Sequence, residues 1–149
     1  MIQYAKERLC DAIAEMQPML ELHYDELTLH KEVVKLDPDW QRYADLEHAG
    51  KFHLFTARQD GALIGYSAFF LQPHLHYRSL MLAMNDVLFL HPQHRNGMTG
   101  IRLIKTSEHG MKVLGANKIV WHAKYSNDLA TILARLGYEL EEVMVGKIL

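Results

Sequence analysis

Apolar positions recur along this chain with two different periods, and the switches between them outline its elements. Residues 2–6 read as a short edge strand. From Glu7, the positions Leu9, Ala12, Ile13 and Met16 fall at helical spacing. Pro18 interrupts that run and is expected to open a second helical stretch carrying Leu20, Tyr24 and Leu27. Asp37 and Pro38 make a helix start, the aspartate as N-cap and the proline at the first helical position. That helix would run through Trp40, Tyr43 and Leu46 and stop at Gly50. Strands are predicted over residues 52–58, 62–71 and 83–90, the first two joined by an Asp60-Gly61 hairpin turn. After a glycine-containing loop, a helix buries Ile101, Leu103, Ile104 and Met111 and closes at Gly115. A strand over 118–123, a short helix over 128–136 capped by Gly137, and a last strand over 138–148 complete the series. Antiparallel strands followed by strand–helix–strand imply an α/β fold, a mixed sheet with helices on both faces.

Composition narrows the classes. The 149 residues, 49% hydrophobic and 23% charged, fit one globular domain over 1–149 without linker or repeat. A formal net charge of -2 supplies no basic field, so nucleic acid is not an expected partner. Cys10 is the single cysteine, which excludes an internal disulfide and suits a reducing, cytoplasmic setting. Charged residues occupy the first positions where a signal peptide needs an apolar run, and no apolar stretch approaches a membrane span.

The chemistry concentrates between the third strand and its helix, in Leu88-Phe89-Leu90-His91-Pro92-Gln93-His94-Arg95-Asn96-Gly97-Met98-Thr99-Gly100-Ile101-Arg102-Leu103. The first amides of a helix lack internal partners and sit at the positive end of its dipole, so they bind phosphate oxygens. Glycines let backbone approach such a ligand, and Arg95 and Arg102 add positive charge; the same pattern also fits plain turn chemistry. No Gly-Lys-Ser/Thr ending is present, which excludes a P-loop. Gly97 and Gly100 lack the leading glycine of a dinucleotide fingerprint.

The run Arg95-Asn96-Gly97-Met98-Thr99-Gly100 resembles the acetyl-CoA pyrophosphate loop of the GNAT acetyltransferases, Gln/Arg-x-x-Gly-x-Gly/Ala. Arg95 and Gly100 match its ends; Met98 stands at the inner glycine, and Gly97 lies one place early. Leu-His-Pro-Gln-His-Arg is similar to the family's strand exit. Ser126-Asn127-Asp128 through Arg135-Leu136-Gly137-Tyr138 is similar to its Asn-x-x-Ala helix ending in Leu-Gly-Phe/Tyr. Residues 36–40, 74–78 and 85–87 further resemble the small GNAT proteins of phage and prophage genomes.

The resemblance implies a mostly antiparallel, twisted sheet splayed where acetyl-CoA lies. Leu88, Phe89 and Leu90 would pair with the pantetheine arm as an added strand would. The amides of Arg95, Asn96, Gly97, Met98, Thr99, Gly100 and Ile101 would take the pyrophosphate. Asn127 would bond pantetheine or the departing sulfur, or simply cap its helix. The implied reaction is direct attack of a primary amine on the thioester, which needs a base, an oxyanion donor and a proton for the leaving thiolate. Met84 occupies the position where the family often has a glutamate; Asp86, two residues on, is the candidate base, or else a structural acid anchoring loop amides or Arg78. Leu133 replaces the usual acid tyrosine, leaving Tyr125 or solvent. Trp40, Tyr43, His74, His76 and Tyr77 are candidate acceptor-site residues; the first two equally suit a core stripe. His74 and His76 have zinc-compatible spacing, but no third ligand is evident, so no metal is expected. The losses at Met84 and Leu133 leave a non-catalytic acyl-CoA-binding module as the alternative. A homodimer paired through the last strand, with Val143 and Val145, is a further expectation. The acceptor itself is not legible, because one fold serves many amines.

Overall fold

The computed structural model describes residues 1–149. Five strands form one open sheet in chain order: β1 (Ile2–Glu7), β2 (Phe52–Gln59), β3 (Ala62–Pro73), β4 (Met81–Leu90) and β5 (Lys118–Val120). The first four are antiparallel, and β5 joins parallel to β4 after the crossover through α3 (Thr99–Val113). Helices α1 (Leu9–Leu27) and α2 (Trp40–His48) precede β2, and α4 (Leu129–Arg135) follows β5.

Strand periodicity divides the core in two. Leu54, Tyr66 and Ala68 point to the face that carries α1, against Leu9, Ala12 and Met16. Their neighbours Phe55 and Phe69 point the opposite way, against Leu103 and Met111 of α3. The central strands are therefore apolar on both faces, and β2 is buried from Phe52 through Ala57. Gly110 lets α3 press onto the sheet, since a Cβ there would collide with the Phe55 ring. At the hairpin, Asp60 and Gly61 both take positive φ, 51° and 89°, the geometry of a type I′ turn.

Four sequence expectations need correction. Pro18 does not divide the first helix; α1 continues from Leu9 to Leu27 with the proline inside it. Pro18 and Ala14 are both exposed, so water can satisfy the carbonyl whose intrahelical partner is missing. The cap of α2 is Asp39 rather than Asp37: its carboxylate accepts from Arg42 N at 3.0 Å. The strand after α3 is regular only over Lys118–Val120, not to 123. No strand forms over 138–148, where alternation was present in the sequence but no ladder partner is present in the fold. Leu140, Val143, Met144 and Val145 are exposed there, and the segment is tethered by side chains, Lys118 Nζ to Glu141 at 2.7 Å and Tyr138 Oη to Glu108 at 2.7 Å.

One consequence of the strand lengths positions the site. β5 pairs only with Leu82, Ala83 and Met84 of β4. Beyond them the β5-facing edge of β4 has no strand neighbour, while its other edge stays paired with β3 as far as Leu90 opposite Gly65. The sheet is thus split along the second half of β4.

Candidate active site

The split begins at a β-bulge. Ala68 pairs with Val87 and Phe69 with Asn85, leaving Asp86 as the extra residue. Asn85, buried between the strands, donates from Nδ2 to Ala68 O at 3.2 Å and to Val87 O at 2.9 Å, which stitches the bulge shut. The extra residue turns Asp86 toward the α1–α2 face, where Tyr43 Oη donates to its carboxylate at 2.7 Å. Burial raises the Asp86 pKa above the usual carboxylate range, against the hydrogen bond from Tyr43 and the attraction of His122. Burial, with the adjacent Asp86 charge, likewise raises the Tyr43 phenol. Asp86 does not anchor loop amides or Arg78, the partners expected of a structural acid; its hydrogen bond comes from Tyr43.

Asp86 opens into a cavity of about 490 Å³ between α1, α2 and the segment joining them. Ten of its fifteen lining residues are hydrophobic, among them Leu20, Val34, Leu36, Trp40, Phe52 and Val87. Tyr43 stands edge-on to Phe52, ring centroids 5.0 Å apart, and 6.0 Å from Trp40, so aromatic rings wall the approach to the carboxylate. The connecting segment is fastened by Tyr24 Oη donating to Val34 O at 2.6 Å.

At the far end of β4 the chain makes a 3-10 turn, Pro92–His94, and enters α3. Gly97 has φ 54°, which turns the loop into the helix at no side-chain cost. The Arg95 amide, expected to face the pyrophosphate, is instead taken by Pro92 O at 3.2 Å, closing the 3-10 turn; the consecutive amides from Asn96 to Ile101 donate to no protein acceptor, and Arg102 N is the next to bond, to Met98 O at 2.9 Å. Met98, the N-cap, is 53% exposed and supplies no capping oxygen, and no acidic residue lies in the first turn. Arg95 does not face these amides alone. Its guanidinium donates to Leu90 O at 2.6 Å and to both oxygens of Glu26 at 2.8 and 2.9 Å, and lies 5.2 Å over the Phe89 ring. It fixes the loop to α1 through that pair.

The family model of the acetyltransferase (GNAT) family matches residues 2–138. The chain belongs to that family. As a GNAT protein it is an N-acetyltransferase whose acyl donor is acetyl-CoA. No curated protein sequence matches it. Among solved structures, a ribosomal-protein-alanine N-acetyltransferase from Brucella melitensis biovar Abortus is 21% identical, with TM-score 0.72, covering 99% of this chain and 98% of that one. An aminoglycoside acetyltransferase from an uncultured soil metagenomic sample, in complex with sisomicin, is 16% identical with TM-score 0.76, covering 99% and 96%. A protein from Clostridium acetobutylicum described as a predicted acetyltransferase, solved with acetyl-CoA, is 13% identical with TM-score 0.76, covering 99% and 96%. At such identities the likeness is one of fold.

Not every residue anticipated for the GNAT site gathers there. Trp40 and Tyr43 line the Asp86 cavity. His74, His76 and Tyr77 do not; their rings cluster at tilted and edge-on angles in the β3–β4 turn, His74 4.9 Å from the Tyr77 ring, with Leu75 99% exposed among them. Leu88, Phe89 and Leu90 occupy the split half of β4. Asn127 Oδ1 accepts from Leu129 N at 3.1 Å, which caps α4 and leaves its amide NH2 without a protein partner. Tyr125 lies in the loop after β5, 89% exposed. Nowhere do three or more His, Cys, Asp or Glu side chains gather closely enough to hold a metal ion. Three features had no sequence signal: Glu26 as the anchor of Arg95, His122 near Asp86, and His23, stacked 5.1 Å from Phe89 and pushed down to about 4 by burial. Each depends on a contact across the fold that no local spacing encodes.

Proposed function

We propose that this GNAT enzyme acetylates a primary amine held in the α1–α2 cavity, by direct attack with Asp86 as general base. The observation that carries this reading is the sheltered carboxylate at the start of the β4 split, on the strand whose other end leads to six free amides. Asp86 lies four residues before Leu90, about 13 Å along an extended strand. That spacing suits an extended arm joining a pyrophosphate at the amides to a thioester near the carboxylate.

Acetyl-CoA supplies the thioester: the amine nitrogen bonds to its carbonyl carbon, the C–S bond breaks, and a thiolate leaves. The chain's residues do the rest. The amides of Asn96 to Ile101 and the positive end of α3 hold the pyrophosphate. The open edge of Leu88, Phe89 and Leu90 aligns the arm, as in strand addition. Asp86 takes the first proton that the attacking ammonium must lose; burial raises its pKa, which makes the carboxylate a stronger base. Tyr43 fixes the orientation of that carboxylate by hydrogen bonding. As the adduct collapses, the nitrogen gives up its second proton and the thiolate gains one, relayed by Tyr125, exposed in the loop after β5, or by water. Asn127 NH2 is available to the arm or to the sulfur.

The deciding experiment is Asp86→Asn. Turnover of acetyl-CoA with an accepted amine should fall by about 10²–10⁴-fold, while calorimetric affinity for acetyl-CoA stays unchanged. Full turnover in that variant would remove Asp86 from the chemistry.

A further inference from the structure

The lining of the Asp86 cavity carries information about the amine that enters it. We propose that the acceptor is a small monoamine with an apolar, aromatic-sized body, its single ammonium held between Asp86 and the rings of Trp40, Tyr43 and Phe52. This rests on the transfer chemistry above and adds the class of substrate.

Charge supplies the first argument. Two carboxylates line the cavity, Asp86 and Asp37. Asp86 is sheltered, whereas Asp37 is exposed at the rim, where exposed Lys35 also stands. The interior therefore offers one anionic partner. A polyamine or an aminoglycoside would carry further ammonium groups into apolar walls with nothing to pair them, and unpaired buried charge is strongly disfavoured. An amino acid fares no better. No arginine lines the cavity, so its carboxylate would meet Asp86 without a sheltered cation to receive it.

Shape and ring placement supply the second. A cavity of about 490 Å³ is in the range that encloses small molecules. Leu20, Leu36, Val34 and Val87 offer apolar surface to the body of such a molecule. The Tyr43 ring is T-shaped against Phe52 and tilted against Trp40, and Tyr43 itself holds the Asp86 carboxylate. An ammonium that ion-pairs with Asp86 lies beside π faces that also favour a cation. Its nitrogen gives one proton to Asp86, bonds the acetyl carbon and loses a second proton as the C–S bond breaks and the thiolate is protonated, so the product is a neutral amide. The cation that Asp86 and the rings held is then gone, which favours release.

The test uses the full chain and acetyl-CoA, reading thiol release with tryptamine, phenylethylamine, spermidine, kanamycin, glycine and a hexapeptide with a free N-terminus. Tryptamine or phenylethylamine should show kcat/KM at least about tenfold above every other amine. Equal or better acetylation of spermidine, kanamycin, glycine or the peptide would overturn the acceptor class and leave the transferase reading standing. So would acetyl-CoA binding, seen by calorimetry, with no acetylation of either arylalkylamine. Absence of acetyl-CoA binding would take down both. A second variant reports on the cavity itself. Val34 is half-exposed at its edge, so Val34→Glu adds a carboxylate without disturbing the core. The spermidine-to-tryptamine ratio of kcat/KM should rise about tenfold in V34E, with acetyl-CoA affinity unchanged. An unchanged ratio would show that amines bind elsewhere.

Discussion

Three helices of this protein begin under an oxygen acceptor and one does not. Leu9 N at the start of α1 donates to Glu47 Oε1 at 2.9 Å, reaching across to α2. Arg42 N in α2 donates to Asp39 at 3.0 Å, and Leu129 N in α4 to Asn127 at 3.1 Å. At α3 the N-cap is a methionine, six successive amides are unpartnered, and Arg102 stands in the first turn, while Arg95 in the loop before it is paired with Glu26. An isolated helix gains nothing from that arrangement: uncapped amides and the cation of Arg102 both oppose it. An anionic ligand reverses both terms. The closed helix starts are matters of stability, and on the proposed function the open one is where a ligand would supply it.

The comparison breaks most directly at Met98. In Met98→Asp the new carboxylate would accept from the first-turn amides as Asp39 does in α2. The fold should gain about 1 kcal/mol, read as a raised denaturation midpoint. Acetyl-CoA affinity should fall by at least about a hundredfold, since an anion now occupies and repels at the amides. A variant that is stabilised yet binds acetyl-CoA normally would place the pyrophosphate somewhere else.

Local chemistry explains why the loop was legible in the sequence and other features were not. A strand ending in Leu90-His91-Pro92, two glycines and a helix onset are all read from neighbours in the chain. So are the hairpin at Asp60-Gly61 and the helix stops at Gly50, Gly115 and Gly137, each with positive φ. At Gly50 the pattern extends to its bonds, with Lys51 N donating to Leu46 O and Gly50 N to Glu47 O. The predicted last strand failed because alternation says which face a residue takes but not whether a neighbouring strand exists to pair with it. The Pro18 break failed because the proline sits on the exposed side of α1, where a lost hydrogen bond is cheap. Asp86 was found from its spacing to Met84, but the bulge that presents it comes from Asn85 and its Tyr43 partner from a helix 43 residues away.

A smaller effect is expected at that partner. Tyr43→Phe keeps the aromatic wall but removes the hydrogen bond that favours ionised Asp86. The carboxyl pKa, already raised by burial, then rises further. If Asp86 is the base proposed above, it must be ionised to work, so the acid limb of the kcat/KM profile should move to higher pH. Rates measured on that limb should fall about tenfold, the worth of one hydrogen bond to a charged group, while the high-pH plateau is retained. A limb at the original pH would mean that another group sets it.

The smallest effect comes from opening a helix start that is closed. Glu47→Ala leaves Leu9 N without its acceptor and gives α1 the bare terminus that α3 has naturally. The expected loss is about 1 kcal/mol of stability by chemical denaturation, with acetyl-CoA affinity unchanged. The asymmetry with Met98→Asp is the point of the pair. If free amides alone made a phosphate site, the opened α1 would acquire weak affinity for inorganic phosphate. It should not, because α1 is entered directly from β1 through Arg8, whose guanidinium is held by Asp11 at 2.9 and 3.0 Å. That terminus has an acid in its first turn and no loop that brings six amides into succession, as Gly97 does ahead of α3.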